Sequence, residues 1–71
     1  MTEIEARELL SKATVAPDDL VIGTRRYTLS STQMNRRDAQ EEAEAVYDPQ
    51  TLANGKIFKY TNGYAIYQRK F

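Results

Sequence analysis

Apolar positions change their period three times along this chain. Between residues 3 and 13, Ala6, Leu9, Leu10 and Ala13 recur at the three- and four-residue spacing of one helical face, which predicts a helix there. Thr2 and Glu5 have the spacing of a capping box, Met1 is placed to staple onto Ala6, and Ile4 points away from the stripe. An acidic first turn and Lys12 in the last turn both suit the helix dipole. Residues 14–19 are a connection, because Pro17 prevents the helix from continuing. From residue 20 to 30 the stretch is rich in Val, Ile, Thr and Tyr, which predicts a strand. Val21, Gly23, Arg25, Tyr27 and Leu29 then share one face, and Gly23 marks a candidate bulge. Residues 30–34 read as a polar loop.

Helical spacing returns with Ala39, Ala43, Val46 and Tyr47, predicting a second helix over residues 36–47. Asn35 is its N-cap, and Met34 is placed to staple onto Ala39. Asp48-Pro49 ends this helix and can open one further helical turn over residues 49–54, anchored by Leu52. Residues 56–71 alternate again, as two short strands around Asn62-Gly63, a strong signal for a two-residue type I′ turn. That turn sets Tyr60 opposite Ala65, Phe58 opposite Tyr67 and Lys56 opposite Arg69. Phe58, Tyr60, Ala65, Tyr67 and Phe71 share an aromatic core side; Ile57, Lys59, Tyr64, Ile66, Gln68 and Lys70 take the other. The expected architecture is a single α+β domain over residues 1–71. About three antiparallel strands carry two helices on one face, in the order α-β-α-(short helical turn)-β-β.

Composition narrows the chemistry sharply. With 71 residues the chain is near the lower limit for one self-sustaining core. It has no Cys and no His, which removes disulfides, thiolate zinc sites and the commonest general base. Three scattered glycines make no phosphate-cradling loop, and Ser and Thr lack a histidine to activate them. Asp18-Asp19 offers too few ligands for a metal site. Glu41 and Glu44 are helical neighbours, but nothing apolar beside them would separate their pKa values for acid/base work. The expectation is a non-catalytic protein without cofactor, metal or small-molecule substrate. No apolar run approaches the ~20 residues of a membrane span and no signal-peptide core is visible, so the expected compartment is the cytosol.

Ten basic and ten acidic residues cancel in sum but not in position. The chain runs acidic to residue 24, basic through Arg25, Arg26, Arg36 and Arg37, acidic from Asp38 to Asp48, and basic again from Lys56. Such polarisation steers charged partners, although alternating solvated blocks also serve solubility alone. Two constellations follow. Asp38, Glu41 and Glu42, continued by Asp48, form an acidic helix face able to enter a Lys/Arg cleft that normally holds nucleic acid. Arg25, Arg26, Lys59, Tyr64 and Lys70, with Tyr27, form a basic and aromatic set of the kind that binds single strands on a sheet. The plain alternatives are a solvated helix and packed tyrosines beside a charge-protected edge strand. A winged-helix reading also fits the element order, with Thr61-Asn62-Gly63 tipping the wing. Its long helix is acidic, however, and would repel DNA phosphates.

The succession of a strand at Arg26–Leu29, an alanine-and-charge helix at Asp38–Val46, Asn54-Gly55, a strand at Ile57–Tyr60, Asn62-Gly63 and the closing Tyr64-Ala65-Ile66-Tyr67 resembles several small phage-encoded proteins. Among these are anti-CRISPR inhibitors, which bind surveillance complexes and block target DNA. The likeness spans the last two thirds of the chain, carries no site residue over, and leaves the first helix as an addition. It implies a protein-binding inhibitor or adaptor that acts on a host protein or nucleoprotein complex in the host cytosol. The alternative is a small nucleic-acid-binding protein that uses the basic set.

Overall fold

The structure, a computed structural model, describes residues 1–47 and 55–70. These form α1 (Glu3–Lys12), β1 (Asp19–Ile22), β2 (Arg25–Gln33), α2 (Arg36–Ala45), β3 (Lys56–Tyr60) and β4 (Gly63–Lys70). The fold is α+β, with two helices and a four-stranded antiparallel sheet in the order β1-β2-β4-β3. Asp48, the expected helical turn at residues 49–54 with Leu52, and the core-side position of Phe71 lie outside the described residues.

The capping box of α1 closes as its spacing requires. Thr2 Oγ1 accepts from Glu5 N at 3.2 Å, and Glu5 Oε1 accepts from Thr2 N at 3.1 Å. Ala6 and Leu10 are fully buried, whereas Leu9, expected in the same stripe, is 50% exposed. Met1, expected to staple onto Ala6, is 47% exposed. Its amine bonds to Val21 O at 3.4 Å and its carbonyl accepts from Gly23 N at 2.7 Å, so the N-terminus lies along β1.

The single strand expected over residues 20–30 is two strands. Gly23 takes φ +64°, and Ile22 pairs with Arg25 across the Gly23-Thr24 loop. A positive φ at the first central residue is what tight hairpin loops demand, so the glycine reverses the chain instead of bulging it. The reversal also corrects the faces: Leu20 pairs with Tyr27 on the core side, while Val21 pairs with Arg26 on the other. The expected polar loop is strand as well, since β2 runs on to Gln33. Its register to β4 shifts between Leu29, opposite Tyr67, and Ser31, opposite Ile66, leaving Ser30 as an inserted residue. The bulge sends Leu29 to one face and Ser31 to the other.

The closing hairpin keeps its predicted faces but not its predicted register. Tyr60 pairs with Gly63, so Thr61-Asn62 occupies the centre of the loop and every pairing moves by two residues: Phe58 meets Ala65, and Lys56 meets Tyr67. A shift of two preserves side-chain parity, which is why Phe58, Ala65 and Tyr67 still share the core face. Thr61 N bonds to Ala13 O at 3.1 Å and Asn62 Nδ2 to Thr14 O at 2.9 Å. The loop tip is thereby tied to the end of α1, a constraint no local turn preference contains.

The two helices cover opposite faces of the sheet, not one. α1 packs on β3 and β1, and α2 packs on β4, β2 and β3. The cause is the apolar character of β4 on both sides: Ala65, Ile66 and Tyr67 are all fully buried. One core joins Ala6, Leu10, Ala16, Leu20, Tyr27, Phe58, Ala65 and Tyr67. In it the Phe58 and Tyr67 rings meet edge-on, with centroids 5.6 Å apart. The smaller second core joins Ala39 and Ala43 to Ile66, with Val46, Ile57 and Tyr64 packed against it. Alanines on the buried stripe let α2 lie close, as their spacing suggested. Met34, 83% exposed, makes no staple onto that helix.

Candidate functional site

The outer side of α2 carries the acidic candidates. Asn35 caps the helix by accepting from Asp38 N at 2.9 Å, and its amide donates to Asp38 Oδ2 at 2.9 Å. Asp38 is therefore engaged in holding the helix start. Glu41 is exposed and Glu42 half-buried, and neither forms an ion pair with any described residue. Since Ala39 and Ala43 fix the buried stripe, Asp38, Glu41 and Glu42 fall together on the flank and back of the helix.

The basic and aromatic candidates do not form one surface. Lys59 pairs with Tyr64 on the α2 side near the loop tip, and the Lys59 ammonium lies 5.1 Å from the Tyr64 ring centre. Arg26 and Lys70 are direct cross-strand partners on the same side. They stand six residues further along β4, about 20 Å away at the usual strand rise. Arg25 shares the α1 side of the sheet with Tyr27, in an open recess with Met1, Glu3 and Lys56. Tyr27 and Tyr67 are buried, Tyr64 is half-buried beneath α2, and no row of tyrosine faces is open for base stacking among the described residues. The tyrosines pack because helices cover both faces of the sheet, which the sequence reading did not foresee.

Perturbed titrations cluster at the structural ties of the fold. The Lys56 ammonium bonded to Glu3 Oε1 holds that carboxyl below its usual range, with Arg7 adding to the effect. The capping-box amide and hydroxyl of Thr2 lower Glu5. Burial pushes the Tyr67 phenol up to about 12, helped by the charge of Asp18, while its hydroxyl donates to Pro17 O at 2.7 Å. Among the described residues, no three of His, Cys, Asp and Glu come together as a metal site would need, and no helix is long and apolar enough to cross a membrane.

No family model, curated protein or solved structure matches this chain. Its own surface is the remaining guide to what it does. That surface includes two residues absent from both sequence-derived sites, Arg7 and Arg36, which join Lys59 and Tyr64 around a recess at the outer edge of β3. Residues 7, 36 and 59 share no local pattern, and only the packing of both helices against one strand brings them together.

Proposed function

We propose that the protein is a non-catalytic protein-binding module that docks the acidic outer side of α2 into a basic cleft of a nucleic-acid-handling partner. In this reading it is an inhibitor or adaptor of host nucleoprotein machinery working in the host cytosol, as its resemblance to small phage-encoded inhibitors implies. The observation that carries it is Glu41 and Glu42 on a capped helix packed against the sheet, without an ion-pair partner among the described residues. Carboxylates left without partners cost nothing in water, and they become strong contacts when a partner's Lys or Arg side chains are desolvated against them. The nucleic-acid alternative draws less support, because Arg25, Arg26 with Lys70, and Lys59 with Tyr64 occupy three separate places.

The test is the double reversal Glu41→Lys, Glu42→Lys. Both side chains stand off the buried stripe, so the circular dichroism spectrum and the melting temperature are expected to hold. Capture of a protein partner from nuclease-treated host lysate is expected to fail with the reversed helix and to succeed with the wild type. Retained capture, together with loss on Arg26→Glu and Lys70→Glu, would overturn the acidic-helix reading.

A further inference from the structure

The sheet has two outer strands, and the fold treats them differently. On β1 the outward carbonyl of Val21 accepts from the Met1 amine at 3.4 Å, and the N-terminus covers that edge. On β3 no described backbone group bonds from outside. The Tyr60–Gly63 pair closes a two-residue loop, so the peptide groups of Tyr60, Phe58 and Lys56 face β4 while those of Ile57 and Lys59 face outward. Arg7 confirms this phase, since its Nη1 reaches Ile57 O from outside at 3.2 Å.

A half-open recess of about 310 Å³ follows this edge, lined by Arg7, Arg36, Gly55, Ile57, Lys59 and Tyr64. Among the described residues its lining holds three cations and no carboxylate. The cations come from three elements and stand on both sides of the strand. Arg7 approaches from the α1 side, its guanidinium 4.9 Å from the centre of the Phe58 ring. Lys59 lies on the α2 side over Tyr64, and Arg36 opens α2 beside it. All three are solvent-exposed.

We infer that this edge binds an extended acidic peptide segment, which adds to β3 as a fifth strand. Successive side chains of a strand point to opposite faces, so a segment with carboxylates on both faces meets Arg7 on one side and Arg36 with Lys59 on the other. The amide of the incoming strand takes over Ile57 O, and the Arg7 guanidinium, which also stands 3.9 Å from Glu3 Oε2, turns from that carbonyl to a carboxylate of the segment. A nucleic-acid strand would satisfy the charges but has no peptide groups for Ile57 and Lys59. The site is distinct from the acidic side of α2 and does not depend on it.

The test uses the whole chain, isotopically labelled, titrated with an octapeptide of repeating Glu-Glu-Thr-Thr, which carries carboxylates on both faces of a strand. A Lys-Lys-Thr-Thr octapeptide and a thymidine oligonucleotide of equal length serve as the other arms. Expected are amide shifts centred on Ile57 and Lys59, slowing of Lys59 amide exchange by about tenfold or more at saturation, and no response to the Lys-Lys-Thr-Thr peptide. Arg36→Glu with Lys59→Glu should abolish binding with the helix and sheet spectrum intact, while Glu41→Lys, Glu42→Lys leaves it unchanged. Wild-type protection of the Lys59 amide decides the matter should the charge variant not fold. The inference is overturned by an acidic peptide that fails to bind at millimolar concentration, or that binds without protecting that amide. Preferred binding of the oligonucleotide would overturn it in favour of a nucleic-acid edge site.

Discussion

Gly63 shows how a single residue is constrained twice. Its φ of +150° lies in a region side chains rarely adopt, and an added Cβ would fall onto the Gln33 carbonyl of β2. Gly63→Val is therefore expected to destabilise the domain by roughly 1–3 kcal/mol, read as a lower urea midpoint. An unchanged midpoint would show that the β4 start is placed incorrectly. Tyr67 is the corresponding test by pH. Its folded-state pKa, about 12, lies above the ordinary value of 10.0. The folded state thus favours the neutral phenol. Its contribution is fully present below pH 10 and drains away as pH rises toward 12, because the unfolded chain ionises first. Tyr67→Phe should cost about 1 kcal/mol at neutral pH, as the bond to Pro17 O is lost, and should flatten the alkaline limb of the stability curve. A limb that keeps its slope in the variant would assign the loss to another group.

At the scale of elements, α2 is the one whose orientation matters for function. Ala43 is 3% exposed against Ile66, and a core of this size supplies only about 3–5 kcal/mol. Ala43→Glu places an unpaired carboxylate there and is expected to unfold the domain, whereas Glu41→Ala should leave the melting temperature within a degree or two. Equal effects of the two would mean that the helix is rotated and that its acidic side is not the outer one. The alanine stripe was legible because helical period and small residues point to the same face. The split of residues 20–30 was not, since a glycine between β-branched residues serves a bulge or a turn equally well until its φ is known.

For the molecule as a whole, the ties run between distant parts of the chain: Asn62 to Thr14, Tyr67 to Pro17, Lys56 to Glu3 and Gly55 N to Ala43 O. With both helices packed on β3 from opposite faces, the domain should unfold as one unit. Leu10→Ala, which empties part of the α1 core, is expected to cost about 2–5 kcal/mol. It should lower the transition equally whether helix content or tyrosine fluorescence is followed. Separate midpoints for the two signals would show that α1 detaches alone.

The sequence by itself determined what depends on neighbours along the chain. The caps at Thr2 and Asn35, the buried alanines of α2, and the shared face of Phe58, Ala65 and Tyr67 all follow from spacing and from the parity of a strand. Tertiary structure decided everything that needs two distant segments at once. It placed α2 on the face opposite α1, because β4 is apolar on both sides and each side needed a cover. It set the hairpin register, because the Thr61-Asn62 tip bonds to the end of α1. It divided the basic residues among three places and assembled Arg7, Arg36 and Lys59 at the outer edge of β3, where electrostatic proximity is a matter of packing and not of sequence order.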